Sequence, residues 1–294
     1  MSSTNEKILV PIGFTDQSIL ALQQAVIIAD QTNADLILFS VVEIPSSFKK
    51  LFSDFEDRQK EFKQKAKQNL QELANQHCQA IKSVECMVVV GKIYEKIVET
   101  SEMLGVSLIV MGTDGSPKEL TKKFIGSNAY NVVRFASCPV ITVKGKKIKS
   151  QFNTIALPLD LHKETKEKVS YALKFARLFN SSIRVFSVTQ KNSDSSVKNK
   201  LIRDLQQANN FINSKGVECS TEFVEVDSSS SFSSSIIDYT NKIEADFLMI
   251  MTKEESNLEA NFLGSNARKV INKSEIPVVC IQPSPKKDLT TYLV

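Results

Sequence analysis

The second half of the chain repeats the first. Thr154 to Leu159, closing in Pro158-Leu159-Asp160, echoes Ile8 to Gly13 with its Pro11-Ile12-Gly13 turn. Ser182 to Val188 echoes Leu36 to Val42, Val217-Glu218-Cys219 echoes Val84-Glu85-Cys86, and Ala245 to Met251 echoes Val106 to Met111. Phe262-Leu263-Gly264-Ser265-Asn266-Ala267 repeats Phe124-Ile125-Gly126-Ser127-Asn128-Ala129, and Pro277-Val278-Val279 repeats Pro139-Val140-Ile141. Landmarks kept in one order predict an internal duplication. The expected units are residues 1–146 and 153–284, joined by a basic, polar linker and followed by a short tail, 285–294. Over 294 residues each unit has the length of an ordinary domain.

Each unit alternates short apolar runs with amphipathic ones. Lys7 to Ile12 reads as a strand, and Ser18 to Ala29 as a helix with Asp16 as its expected N-cap. Leu36 to Val42 is continuously apolar, as a strand covered on both faces should be. Phe48 to Gln76 is predicted helical, with Phe48, Phe52, Phe55, Phe62, Ala66 and Leu73 on one face that packs on the domain; a partner-binding face is the competing reading. Val84 to Val90 is a third strand, and Tyr94 to Leu104 a helix with Ile93, Ile97 and Met103 turned inward. Val106–Val110, a helix over Ser127–Phe135 and a last strand, Pro139–Val143, complete the unit. This alternation implies βαβ units, hence an open parallel sheet with helices on both faces. The serine run Ser228–Ser235 is expected to be an exposed loop.

Composition narrows the function classes. At 42% hydrophobic and 24% charged the chain is globular, and a net charge of +4 with no dense basic block argues against nucleic acid. No apolar run approaches the ~20 residues that span a bilayer, and the N-terminus does not read as a secretory signal. The five cysteines are scattered and odd in number, without a CxxC or Cys/His cluster, so neither zinc nor a disulfide framework is indicated. Reduced, buried thiols in a cytoplasmic protein are the expectation.

The chemistry concentrates in residues 111–128, MGTDGSPKELTKKFIGSN. Glycines at a strand exit let backbone N–H groups approach a ligand, and Gly126-Ser127 falls where a helix would begin and favour an anion. No Gly-Lys-Ser/Thr follows, so this is not a P-loop. The competing reading is that these glycines permit only tight turns and helix–strand packing.

Taken with ILVPIG, VVVGKIYEKIVE and VMGTDG…FIGSNAYNVVRFASCPVITVK, the stretch resembles a universal stress protein, twice over, at about 5–145 and 153–283. That family's nucleotide signature is Gly, two residues, Gly, nine residues, Gly, then Ser or Thr. Gly112, Gly115, Gly126 and Ser127 fit with one extra residue before Gly126. The resemblance implies two tandem Rossmann-like, five-stranded sheets paired through their last strands. It implies ATP, with magnesium, in the first copy, where Met111, Gly112, Gly115, Gly126, Ser127 and Asn128 match phosphate and ribose positions. Pro11, Ile12 and Val41 match positions near the base. Gly13 replaces the family's acidic residue; Asp16 is a partial substitute or only a helix cap.

The second copy departs in the opposite sense. Asp160 is in place and Gly264 and Ser265 remain, but Thr252 and Glu255 are aligned with Gly112 and Gly115, so this copy is expected to be degenerate. Lys118, Lys122 and Lys123 could reach phosphates or simply be solvated, and Asp160, His162, Lys163 and Glu164 read as solvated loop. No nucleophile has a paired base at a recognisable spacing. The expectation is a non-catalytic stress-response protein with an intramolecular domain pair. A homodimer, an unnamed protein partner, a nucleotide-free scaffold and slow ATP hydrolysis stay open as alternatives.

Overall fold

The computed structural model describes residues 6–43, 55–113, 125–145, 148–160, 165–252 and 263–283. The first half contributes β1 (Lys7–Pro11), α1 (Asp16–Thr32), β2 (Asp35–Val42), α2 (Phe55–His77), β3 (Val84–Val90), α3 (Ile93–Met103), β4 (Leu108–Gly112), α4 (Ser127–Phe135) and β5 (Val140–Val143). The second contributes β6 (Thr154–Pro158), α5 (Thr165–Phe179), β7 (Ser182–Gln190), α6 (Ser195–Ser214), β8 (Cys219–Val226), α7 (Phe232–Lys242), β9 (Phe247–Met251), α8 (Ser265–Lys273) and β10 (Val278–Ile281).

All ten strands form one sheet, ordered β3-β2-β1-β4-β5-β10-β9-β6-β7-β8. Pairs within a half are parallel. The halves meet through β5 and β10, which run antiparallel, Val278 opposite Thr142, Val279 opposite Ile141 and Cys280 opposite Val140. The expected pairing through last strands is therefore what forms. An antiparallel seam turns the carboxyl ends of the two sets of strands toward opposite edges of the sheet. Period-two alternation splits the core. Ile8, Val10 and Ile12 face α1 and α2, with α5 and α6 on the same side in the second half. Leu9, Phe39 and Ile109 face α3 and α4, with α7 and α8 continuing that layer.

The linker is held rather than loose. Gln17, Gln24 and Gln31 recur every seventh residue along α1, hence on one helical face. Gln17 Nε2 donates to the Gly145 carbonyl at 3.1 Å and Gln31 Nε2 to that of Ser150 at 3.1 Å. Between them, Gln24 Nε2 donates to Lys149 O at 2.9 Å while Gln24 Oε1 accepts from Lys149 N–H at 2.8 Å. Lys149 Nζ then pairs with Asp246 at 3.0 Å, tying the linker to the second half.

Several local expectations are corrected. Thr15, not Asp16, caps α1, because Thr15 and Ser18 form a reciprocal capping box and Asp16 is the first helical residue. On α2 the buried residues are Ala66, Leu70 and Ala74; Phe62 is 49% exposed, while Phe48 and Phe52 and the side chain of Phe55 lie outside the described residues. Met103 is 71% exposed, at the last residue of α3, and does not turn inward. The serine run is not all loop: Ser231 caps α7, and Ser233 and Ser235 are buried on its inner face. Val84 aligns with Cys219, not Val217, since Leu36 and Ile183, which pair with Ile8 and Ile155 at equivalent positions, lie opposite Val84 and Cys219. Sheet register, rather than the shared Val-Glu-Cys triplet, decides the equivalence.

Candidate functional site

A pocket of about 310 Å³ opens at the carboxyl ends of β1, β2 and β4, in the first half. Between β1 and β4 the strand order reverses, and such switch points leave a crevice where open α/β sheets bind ligands. Pro11, Ile12, Val41, Met111, Gly112, Gly126, Ser127 and Asn128 all line it. Gly115 and the three loop lysines lie outside the described residues. Thr15, Ser18, Phe39, Ile93, Ile97, Thr113 and Ala129 line it as well. Of these, Thr15 and Ser18 carried a Thr-x-x-Ser spacing that could have marked the cap where Asp16 was expected; the others are apolar or core residues whose shared position only the fold reveals.

The pocket's lining combines two chemistries. Ile12, Phe39, Val41, Ile93, Ile97 and Met111 supply apolar side chains. The start of α4 lines the same pocket, capped by the Gly126 backbone without any side-chain cap. The Gly126 N–H donates to Thr113 O at 2.7 Å. The N–H groups of Ser127, Asn128 and Ala129 come next, in a first turn that offers them no carbonyl of their own helix. The neighbouring α1 is different: Thr15 Oγ1 accepts from Ser18 N–H at 3.2 Å and Ser18 Oγ from Thr15 N–H at 3.0 Å. Three helix starts line the pocket, those of α1, of α3 at Ile93 and of α4, and only α1 is closed by its own hydroxyls.

None of the described lining residues is charged, and among the described residues no group of three or more His, Cys, Asp or Glu is placed to hold a metal ion. Burial pushes Cys78, Cys138 and Cys219 up to about 11 and Cys280 to about 12, so they stay protonated at neutral pH.

Gly112 has a packing role. A Cβ there would lie 2.8 Å from Gln17 O and 2.9 Å from Gln17 C, backbone atoms in the first turn of α1. Gly112→Ala should therefore cost about 1–3 kcal/mol, read as a lower urea midpoint; an unchanged midpoint would mean that α1 sits farther from β4. At Gly13 an added Cβ meets nothing within 4 Å.

In the second half Asp160 is half-buried, Gly264 is buried and caps α8, and Ser265 is exposed. The Gly264 N–H donates to Thr252 O at 3.0 Å, matching the Gly126–Thr113 bond. This corrects the alignment of Thr252 with Gly112. Gly112 pairs with Val143 and Met251 with Ile281, so Met251 stands in the glycine's place and Thr252 in that of Thr113. His162, Lys163, Glu164, Glu254 and Glu255 lie outside the described residues.

Known proteins carry the same pattern. The model of the universal stress protein family matches residues 4–144 and again 151–282. The chain belongs to the universal stress protein family. It is 29% identical over 161 residues to a universal stress protein of Methanocaldococcus jannaschii, covering 50% of this chain and 99% of that one. A second from the same organism is 31% identical over 152 residues, 48% of this chain and 84% of its own. A solved universal stress protein from Archaeoglobus fulgidus superposes with a TM-score of 0.72 at 19% identity, across 95% of this chain and 96% of that one. The relatives from Methanocaldococcus thus align with about half of the chain, whereas the Archaeoglobus structure matches nearly all of it.

Proposed function

We propose that this universal stress protein binds an adenine nucleotide, ATP in the first instance, in the pocket of its first domain and performs no chemistry on it. The observation that supports this most is that the uncapped start of α4 and a set of apolar side chains line one pocket. Helix N-terminal N–H groups suit phosphates, and the apolar side chains suit a flat, apolar-faced base. Among the described residues the pocket supplies no carboxylate to a metal and no acid–base pair, so in this reading magnesium arrives with the phosphates. We take residues 1–146 as the nucleotide-binding unit and 153–284 as its degenerate partner. Five free thiols suit a reducing cytoplasm, and among the described residues no helix is long and apolar enough to cross a membrane.

Ser127→Asp tests the reading with opposed signs. A carboxylate in the first turn of α4 favours the helix but repels a phosphate. The variant should melt at or above the wild-type temperature and bind ATP with magnesium at least roughly tenfold more weakly, a difference of about 1.4 kcal/mol. Calorimetric titration of nucleotide-stripped protein reads the affinity. Equal binding by both proteins would move the phosphate site elsewhere.

A further inference from the structure

The second domain reaches into the first at the entrance to α4. Asn272 lies on the last turn of α8, and its Oδ1 accepts the N–H of Ile125, the residue before the Gly126 cap. Lys144, just past β5, donates its ammonium to the Asn272 carbonyl. Gly126 N–H reaches Thr113 O, and Thr113 N–H reaches Val143 O at 3.2 Å. These bonds close a ring running from Asn272 through Ile125, Gly126, Thr113, Val143 and Lys144 back to Asn272. Two successive N–H groups at the start of α4 are thus fixed from opposite sides, one by the first domain's own strand exit and the other by the second domain's helix.

The equivalent position in the first domain does not hold the same chemistry. Counting from Ser127 and Ser265, the residue matching Asn272 is Arg134. A guanidinium has no acceptor, so it cannot take the N–H of Leu263, the counterpart of Ile125. Gln282 stands where Lys144 does. At this position a side-chain acceptor is supplied from the second domain to the first, by Asn272, and the matching Arg134 side chain has none to return.

We propose that Asn272 is a positioning residue for the first domain's anion site: the degenerate domain serves to set the start of α4. This rests on the nucleotide reading given above. With Ile125 fixed, the N–H groups of Ser127 and Asn128 are aimed before a ligand arrives, and ordering costs are removed from binding.

The experiment compares wild type, Asn272→Leu and Asn272→Asp, titrated with ATP and magnesium in full-length protein, with amide exchange followed at Ile125. Leucine keeps the volume and loses the acceptor; aspartate keeps the acceptor. The expected result is binding weakened about tenfold in Asn272→Leu, faster exchange at Ile125, and exchange protection retained in Asn272→Asp. Unchanged affinity in Asn272→Leu, with wild type binding normally, overturns the positioning role and leaves the nucleotide site standing. Loss of Ile125 protection in both variants overturns it too, since the side chain would then act by packing alone. If wild type binds no nucleotide, the functional reading falls and the positioning role falls with it.

Discussion

Gln24→Leu should destabilise the whole chain by about 2–6 kcal/mol. Gln24 is fully buried and uses both amide atoms on Lys149, accepting from its N–H at 2.8 Å and donating to its carbonyl at 2.9 Å. Leucine fills the volume but leaves a backbone donor and a backbone acceptor without partners, each costing about 1–3 kcal/mol. In a chain of this size the melting temperature should fall on the order of 10 °C. Gln31→Ala is the internal comparison, since its bond to Ser150 is exposed and should be worth about 0.5 kcal/mol or less. Differential scanning calorimetry of the two variants decides the matter. Equal, small shifts would show that water satisfies Lys149 as well as the glutamine does.

Gly13→Asp is expected to raise affinity for ATP by one to two powers of ten without loss of stability. The position faces open space, with nothing within 4 Å of an added Cβ and no left-handed backbone demand, so surface-level costs of about 0.5 kcal/mol or less apply. Family resemblance puts a carboxylate at this place, and the second domain carries Asp160 there. A charged hydrogen bond to the nucleotide is worth about 1.5–3 kcal/mol, which sets the expected range. Titration of the single variant beside wild type reads the change. No gain would mean that the β1–α1 turn does not face the nucleotide, and would remove the base assignment of Pro11 and Ile12.

The strand–helix alternation was legible because each apolar run is short and each helix carries its own period. Eight of the nine first-domain site residues singled out from sequence meet in one pocket because strand exits and a helix start are local signals that the fold places on one edge. Three kinds of information were not local. The equivalence of Gly112 with Met251 rather than Thr252 depends on which residues pair across the sheet, and a shared methionine misled the count. The inward face of α2 turned on Leu70, while Phe62, a larger and more conspicuous residue, lies on the exposed side. The glutamines of α1 read as ordinary polar helix surface until the linker is seen to run along them.

The antiparallel seam has a genetic consequence. Two separate identical chains joined through their last strands would be related by a twofold axis, and one codon would govern both halves at once. Any residue able to support a neighbour's site would then appear in both places or in neither. Here one gene spells the position twice, as Arg134 and as Asn272. Selection can tune the giver and the receiver separately, because a substitution in one half leaves the other half's residues unchanged.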